Sequence, residues 1–431
     1  MLSNQQIGFM VEKEPEWSGS GSGVPQLLQR TIARQIKLAE PCIGKGRFGE
    51  VYRGMWRDEH VAVKTFNSAD ERSWQTECAI YNTSGFRHEN ILGFIAADNI
   101  DRGTYTELWL ITEYHAHGSL YDFLSRAAAA SLDAPPSQSL RAPQCLRMCL
   151  SIANGLDHLH TAIESCTGKP ALAHCDLKSK NILVKADLSC CIGDLGLALC
   201  GDKMGNVRDA DLLQTSATGG GGGGAPSIRT GTKRYMAPEI LAKTLNARSL
   251  HEYQSAEMYS LALVFWEVIR RCVFEIEQPQ AVGCSSPESS IEISDGSNEI
   301  STASSSGVSS NLPGDSSTSS ASSFSSFILR TRSAPLSASS STMSYFHEYE
   351  YEYQMPYYEF VGVDPDEAQM RQIVCDEKRR PEMNPLWYRV PLLREMTRLT
   401  EELWCENASG RLNALRLKKS LNLLRKKYAA F

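Results

Sequence analysis

Residues 174–181 read HCDLKSKN, and residues 192–198 read IGDLGLA. Asp176 and Asn181 stand at the D-x-x-x-x-N spacing of a phosphotransfer loop, and Asp194-Leu195-Gly196 follows at the short remove such loops use. The chemistry asks for these residue types. A carboxylate at Asp176 accepts the proton of an attacking hydroxyl, and the Lys178 ammonium neutralises a transferring phosphoryl group. Asn181 and Asp194 offer oxygen ligands to a divalent cation, Mg2+ (or Mn2+), set against the phosphates of ATP. Solvated loop carboxylates would account for any one of these residues but not for all the spacings together. GTKRYMAPE at 231–239 adds one more match downstream.

Upstream, residues 44–51 read GKGRFGEV, with Gly44, Gly46 and Gly49 bare enough for backbone N–H groups to approach phosphate oxygens. Alone this GxGxxGxV is weak, because an ordinary hairpin turn reads the same way. Strands are predicted on both sides of it, unlike a dinucleotide-binding turn. VAVK then places Lys64 in the next strand. A strand lysine between valines usually snorkels to the surface. Here it would meet the nucleotide's α and β phosphates, held by Glu77 on the following predicted helix.

The chain has 431 residues, 44 Lys+Arg against 50 Asp+Glu, a net charge of −6 and 42% hydrophobic residues. That length suits a two-lobed enzyme, and the mild, dispersed acidity gives no reason to expect nucleic acid. The 13 cysteines are an odd count without paired CxxC spacing, which fits a reduced protein better than a disulfide scaffold. No apolar run approaches the length of a membrane helix and no signal-type core opens the chain, so neither spanning nor secretion is expected of it as given.

The organisation follows from composition. Residues 1–17 are polar and flexible, and SGSGSG at 18–23 runs into VPQLLQRTIARQI, where Pro25 is predicted to start a short helix. Strands and glycine turns dominate from Leu38 to about Glu113, and helical spacing dominates after Gly118. Three stretches look like disordered insertions: an alanine–proline run at 127–143, six glycines at 219–224, and a serine-rich stretch at 284–344.

The set GKGRFGEV, VAVK, HxDLKSKN, DLG and MAPE resembles a eukaryotic protein kinase. SGSGSGVPQLLQRTIARQI resembles the GS region of the TGF-β/activin receptor type I family. RHENILGFIAADN, YHAHGSL, GKPALAHCDLKSKNILVK and ASGRLNALRLKKSL are similar to the same family. The resemblance covers residues 18 to about 425 outside the insertions. It implies a bilobal α+β kinase fold: a GS-like region at 18–37 and a kinase domain at 38–425, with a β-rich N-lobe at 38–113, a helical C-lobe at 118–425 and the insertion at 284–344.

The resemblance also implies roles. Ile43, Lys45, Arg47, Phe48 and Val51 would join the three glycines around ATP, with Thr112 as gatekeeper and 113–115, ending at His115, as the hinge. Glu239 would form a buried ion pair with Arg411, and Thr232 belongs to a substrate-side loop of serine/threonine type. The segment 98–107 lies where such receptors select receptor-regulated Smad substrates, and it looks more like the activin/TGF-β branch. Ser18, Ser20 and Ser22 would be phosphorylated by a type II receptor kinase, and a prolyl-isomerase immunophilin would cap Val24, Pro25, Leu27 and Leu28. Unphosphorylated, the GS-like segment is expected to hold the Glu77 helix away from Lys64. As part of a full-length receptor, the kinase would lie on the cytoplasmic side of the plasma membrane.

Three departures stand out. Cys175 replaces the family's arginine before the catalytic aspartate, and Glu257 replaces an aspartate that orients the catalytic-loop backbone. Glu16 and Trp17 stand where a pair of threonines is often found. Glu257→Asp is therefore expected to leave activity equal or higher. A weakly active or inactive pseudokinase, scaffolding Smads or a type II receptor, is the alternative that these departures motivate.

Overall fold

The computed structural model describes residues 32–428 apart from 47–48, 67–69, 103–104, 130–139, 165–167, 209–210, 212–227, 229, 278–329, 334–345 and 351–352. Ser18, Ser20, Ser22, Val24, Pro25, Leu27 and Leu28 (where an immunophilin cap is expected), Arg47, Phe48 and the six glycines lie outside the described residues. So do the middle of the alanine–proline run and most of the 284–344 stretch.

Helix α1 (Ile32–Gln35) leads into β1 (Lys37–Gly46), β2 (Gly49–Trp56), β3 (Glu59–Phe66), helix α2 (Glu71–Tyr81), β4 (Phe94–Asp101) and β5 (Thr106–Glu113). The strands form one antiparallel sheet in the order β1-β2-β3-β5-β4. Alternation along β3 explains its two faces. Val61 and Val63 point one way, into a small core with Ala33, Ile36, Trp109 and Ile111. Lys64 and Phe66 point the other way, and the Lys64 ammonium lies 4.6 Å from the Phe66 ring centre. The β1–β2 hairpin closes with Gly46 opposite Gly49. Gly49 has φ +143°, and a Cβ there would collide with the Thr65 carbonyl oxygen, so only glycine lets β2 lie this close to β3.

The second lobe contains α3 (Leu120–Ala129), β6 (Leu140–Arg141), α4 (Ala142–His160), β7 (Leu172–Ala173), β8 (Ile182–Val184), β9 (Cys190–Ile192), β10 (Leu199–Cys200), α5 (Pro238–Leu241) and α6 (Leu250–Arg270). It continues through β11 (Cys272–Glu277), β12 (Arg330–Ser333), β13 (Phe346–Glu350), α7 (Glu367–Arg371), α8 (Pro391–Leu403) and α9 (Ala414–Lys427). Helix α6 is apolar nearly all round, as a central helix must be, and α4, α8 and α9 complete the core with it.

Two expectations need correction. The ends of the alanine–proline run are ordered: alanines 127–129 extend α3, and Pro143 sits in the first turn of α4, where proline loses no helical hydrogen bond. Within the serine-rich stretch, Arg330–Ser333 form a strand against β13, with Arg330 opposite Glu350 and Arg332 opposite Glu348 in the register. Among the described residues, eleven cysteines are free thiols.

Candidate active site

The central strand of the sheet, helix α2 and the loops of the second lobe bring the predicted residues together. Lys64 on β3 donates to Glu77 Oε2 at 2.9 Å and to Asp194 Oδ1 at 2.6 Å. Glu77 is buried on α2, and its other oxygen accepts the Leu195 N–H at 2.6 Å. One carboxylate thus ties α2 to both the strand lysine and the DLG turn. Burial disfavours the Lys64 ammonium, but Glu77 and Asp194 outweigh it and hold its pKa above the usual lysine value. Burial likewise opposes ionisation of Asp194, yet the Lys64 charge keeps that carboxyl below its usual value. The expected separation of the Glu77 helix from Lys64 is not present: the pair is closed. On opening, Lys64 would keep Asp194, but buried Glu77 would keep only the Leu195 N–H and lose its counter-charge.

The catalytic loop is equally knitted. Asp176 Oδ2 accepts from the Lys178 ammonium at 2.7 Å and from the Asn181 amide at 3.2 Å. Asp176 Oδ1 accepts from both the N–H and the hydroxyl of Thr232, each at 2.7 Å. The Lys178 ammonium also donates to the Thr232 hydroxyl at 2.7 Å. His174 is buried; its Nδ1 accepts the Asp176 N–H at 3.2 Å and its Nε2–H donates to the Gly193 carbonyl at 2.9 Å, which fixes one neutral tautomer. Asp176 is therefore an aimed carboxylate, with cations and donors holding both oxygens.

The two departures meet behind this loop. Cys175 adopts φ +63°, and its N–H donates to Glu257 Oε1 at 2.5 Å. Glu257 Oε2 is held by His160 Nε2 at 2.6 Å; Glu257 is buried and the His160 side chain is 9% exposed. The extra methylene of glutamate is thus absorbed by bridging the loop to α4. This reverses the expectation for Glu257→Asp. The shorter chain cannot span both partners without a backbone shift of about 1 Å, so kcat should fall about tenfold or more. Steady-state kinetics of the variant decide it, and undiminished turnover would refute the bridge.

Thr112 is buried on β5, and the Glu113 N–H donates to the Gly93 carbonyl at 2.8 Å. His115 approaches Cys191 Sγ at 3.4 Å, and burial lowers its pKa. Lys45 pairs with Glu50 at 2.7 Å in solvent, on the hairpin with Ile43, Gly44 and Val51. Glu239 and Arg411 form a two-pronged pair at 2.6 and 2.9 Å, far from the phosphotransfer residues in sequence but linked to α6 through the Ser255 carbonyl.

The residues present fit a nucleotide and a divalent cation. The glycine hairpin leaves backbone bare above Lys64, and Asn181 and Asp194 supply oxygens on the facing side. Among the described residues no three His, Cys, Asp or Glu side chains converge as a cage. A cation held partly by substrate phosphates needs only one or two protein carboxylates.

One network had no sequence signal. Glu267, buried on α6, accepts from the hydroxyls of Tyr235 at 2.7 Å and Tyr353 at 2.6 Å, and Ser179 of the catalytic loop lies 3.2 Å from the Tyr235 hydroxyl. Burial pushes the Glu267 carboxyl up from 4.5 to about 7. Between those values the fold holds a proton that the unfolded chain has released. Its contribution is therefore full below pH 4.5 and is lost as pH rises through about 7. Glu267→Gln should flatten this slope, whose limit is about 1.4 kcal/mol per pH unit. Urea unfolding from pH 5 to 8 measures it; identical slopes in both proteins would contradict the assignment.

Residues 39–421 match the protein kinase domain family, and residues 9–34 match the transforming growth factor beta type I GS-motif. Over 407 residues the chain is 41% identical to TGF-beta receptor type-1 of Homo sapiens, covering 94% of this chain and 61% of that protein. It is equally 41% identical to activin receptor type-1B of Homo sapiens, with the same coverage, and 40% identical to human activin receptor type-1C, of which it covers 63%. The chain thus spans about three fifths of the length of these relatives.

Proposed function

The chain belongs to the protein kinase family and carries the GS motif of transforming growth factor beta type I receptors, and on that premise we propose that it transfers the γ-phosphate of ATP to serine hydroxyls of receptor-regulated Smads. It would act as the kinase portion of a type I receptor of the TGF-β/activin branch. Kinase membership implies ATP and a divalent metal ion in general; Mg2+, with Mn2+ as the substitute, is the specific proposal. Among the described residues no helix is long and apolar enough to cross a membrane, and placement on the cytoplasmic side of one is likewise proposed.

The observation that carries this reading is Asp176 held at both oxygens while Lys64 bridges Glu77 and Asp194. In the proposed step the serine oxygen bonds to the γ-phosphorus as the bridging β–γ oxygen leaves. The hydroxyl proton passes to Asp176. Lys64 would hold the α and β phosphates, and Lys178 the transferring group. Asn181 and Asp194 would hold the divalent cation, whose charge would offset that of the phosphates. A pseudokinase built on Cys175 and Glu257 is disfavoured, because Glu257 still aims the loop through the Cys175 N–H.

Phosphates on Ser18, Ser20 and Ser22, placed by a type II receptor kinase, would form an anionic patch for basic residues of the Smad, and an immunophilin would cover residues 24–28 until then. With all three serines changed to alanine, an active type II kinase should no longer raise Smad phosphorylation, while transfer to a short generic peptide stays unchanged. Full activation of the triple-alanine protein towards Smad would refute the patch.

A further inference from the structure

We propose that the outer face of α9 is a docking surface for a membrane leaflet rich in anionic lipid. The helix reads ALRLKKSLNLLRKK and contains no acidic residue, in a chain whose net charge is −6. Ala414, Leu417 and Leu421 are buried against the C-lobe core. At 100° per residue, the opposite arc of about 120° carries Leu415, Lys426, Lys419, Leu423, Arg416 and Lys427 in that angular order. All six are exposed, Leu415 by 46% and Leu423 by 66%.

Ordinary helix chemistry explains only part of this. The cations of the last turn suit the negative end of the helix dipole. Arg416 lies in the first turn, at the wrong end for that purpose, and Lys419 lies midway. Lys418 is committed elsewhere, to Asp157 at 2.9 Å, whereas Arg416, Lys419 and Lys426 enter no ion pair among the described residues. Two leucines about 12 Å apart along the axis stand in water between these cations.

Cations alone would suit an acidic protein just as well. Exposed leucines interleaved with them on one arc are the pattern of helices that lie in the bilayer interface, aliphatic side chains dipping below the headgroups and cations meeting lipid phosphate and carboxylate. The choice of a membrane also rests on the receptor reading above, which puts the chain beside one. Vesicle binding requires no phosphotransfer, so the two proposals fail separately.

The test is flotation of the full chain with vesicles of phosphatidylcholine alone or with phosphatidylserine added. Binding is expected only to the anionic vesicles and should weaken as salt rises. Combined R416E, K419E, K426E and K427E should reduce partitioning on the order of a hundredfold. Leu415→Asn with Leu423→Asn should reduce it about tenfold while leaving every charge in place. A milder set, the same cations changed to glutamine, covers failure of the reversed protein to fold. Equal binding to neutral vesicles, undiminished binding of the glutamine variant, or tighter binding of a soluble polyglutamate peptide than of vesicles would each overturn the proposal.

Discussion

Asp176→Asn should lower kcat for phosphotransfer by about 10²–10⁴-fold while the chain remains folded. The carboxylate stands among donors only: Thr232 N–H and hydroxyl on one oxygen, Lys178 and Asn181 on the other. An asparagine amide must turn its NH2 towards one of those sets, where donor meets donor. It cannot take up the proton of an incoming serine either. Lys64→Arg should act as severely by a different route. The planar guanidinium cannot reproduce the compact ammonium that lies 2.9 Å from Glu77 and 2.6 Å from Asp194 at once. Initial-rate kinetics with a serine peptide, alongside circular dichroism, check both. Wild-type turnover from Asp176→Asn would make the assigned base wrong.

Arg411→Ala should cost about 3–5 kcal/mol of stability, the largest effect expected from a residue away from the chemistry. Its side chain is 1% exposed and forms two parallel bonds to Glu239 while donating to the carbonyls of Ser255, Cys405 and Glu406. Removing it leaves a carboxylate that is only 15% exposed with no counter-charge and three carbonyls without their donor. Changing Glu239 to Gln and Arg411 to Met together should restore part of the loss, since no buried charge is then left alone. Urea midpoints measure all three proteins. A cost below about 1 kcal/mol for Arg411→Ala would place the pair among weak surface bridges instead.

The residues proposed for phosphotransfer, which the fold brings together, were legible in the sequence. Asp176, Asn181 and Asp194 lie on short loops whose geometry admits few alternatives, and Lys64 is placed by the period of a strand. Glu77 was legible because a helix had to follow that strand. What could not be read depends on contacts between distant segments. His160 is 97 positions from Glu257, and nothing in a helix ending DHLH marks one histidine as a carboxylate's partner. Tyr353 reaches Glu267 from beyond the serine-rich stretch, and the strand at Arg330–Ser333 hides in serine-dominated composition until its partner Phe346–Glu350 is known. The Lys64–Glu77 pair was legible, but the Asp194 carboxylate and the Leu195 N–H that converge on it were not, since no linear spacing conveys them.

The account turns on one claim, that the chain is a working serine kinase despite Cys175 and Glu257. Label transfer from γ-labelled ATP to a Smad C-terminal serine peptide tests it most directly. The account predicts label on serine in the presence of Mg2+, none after chelation, and at least about a hundredfold slower labelling with Asp176→Asn. ATP binding without any transfer to serine by the wild-type chain would contradict it.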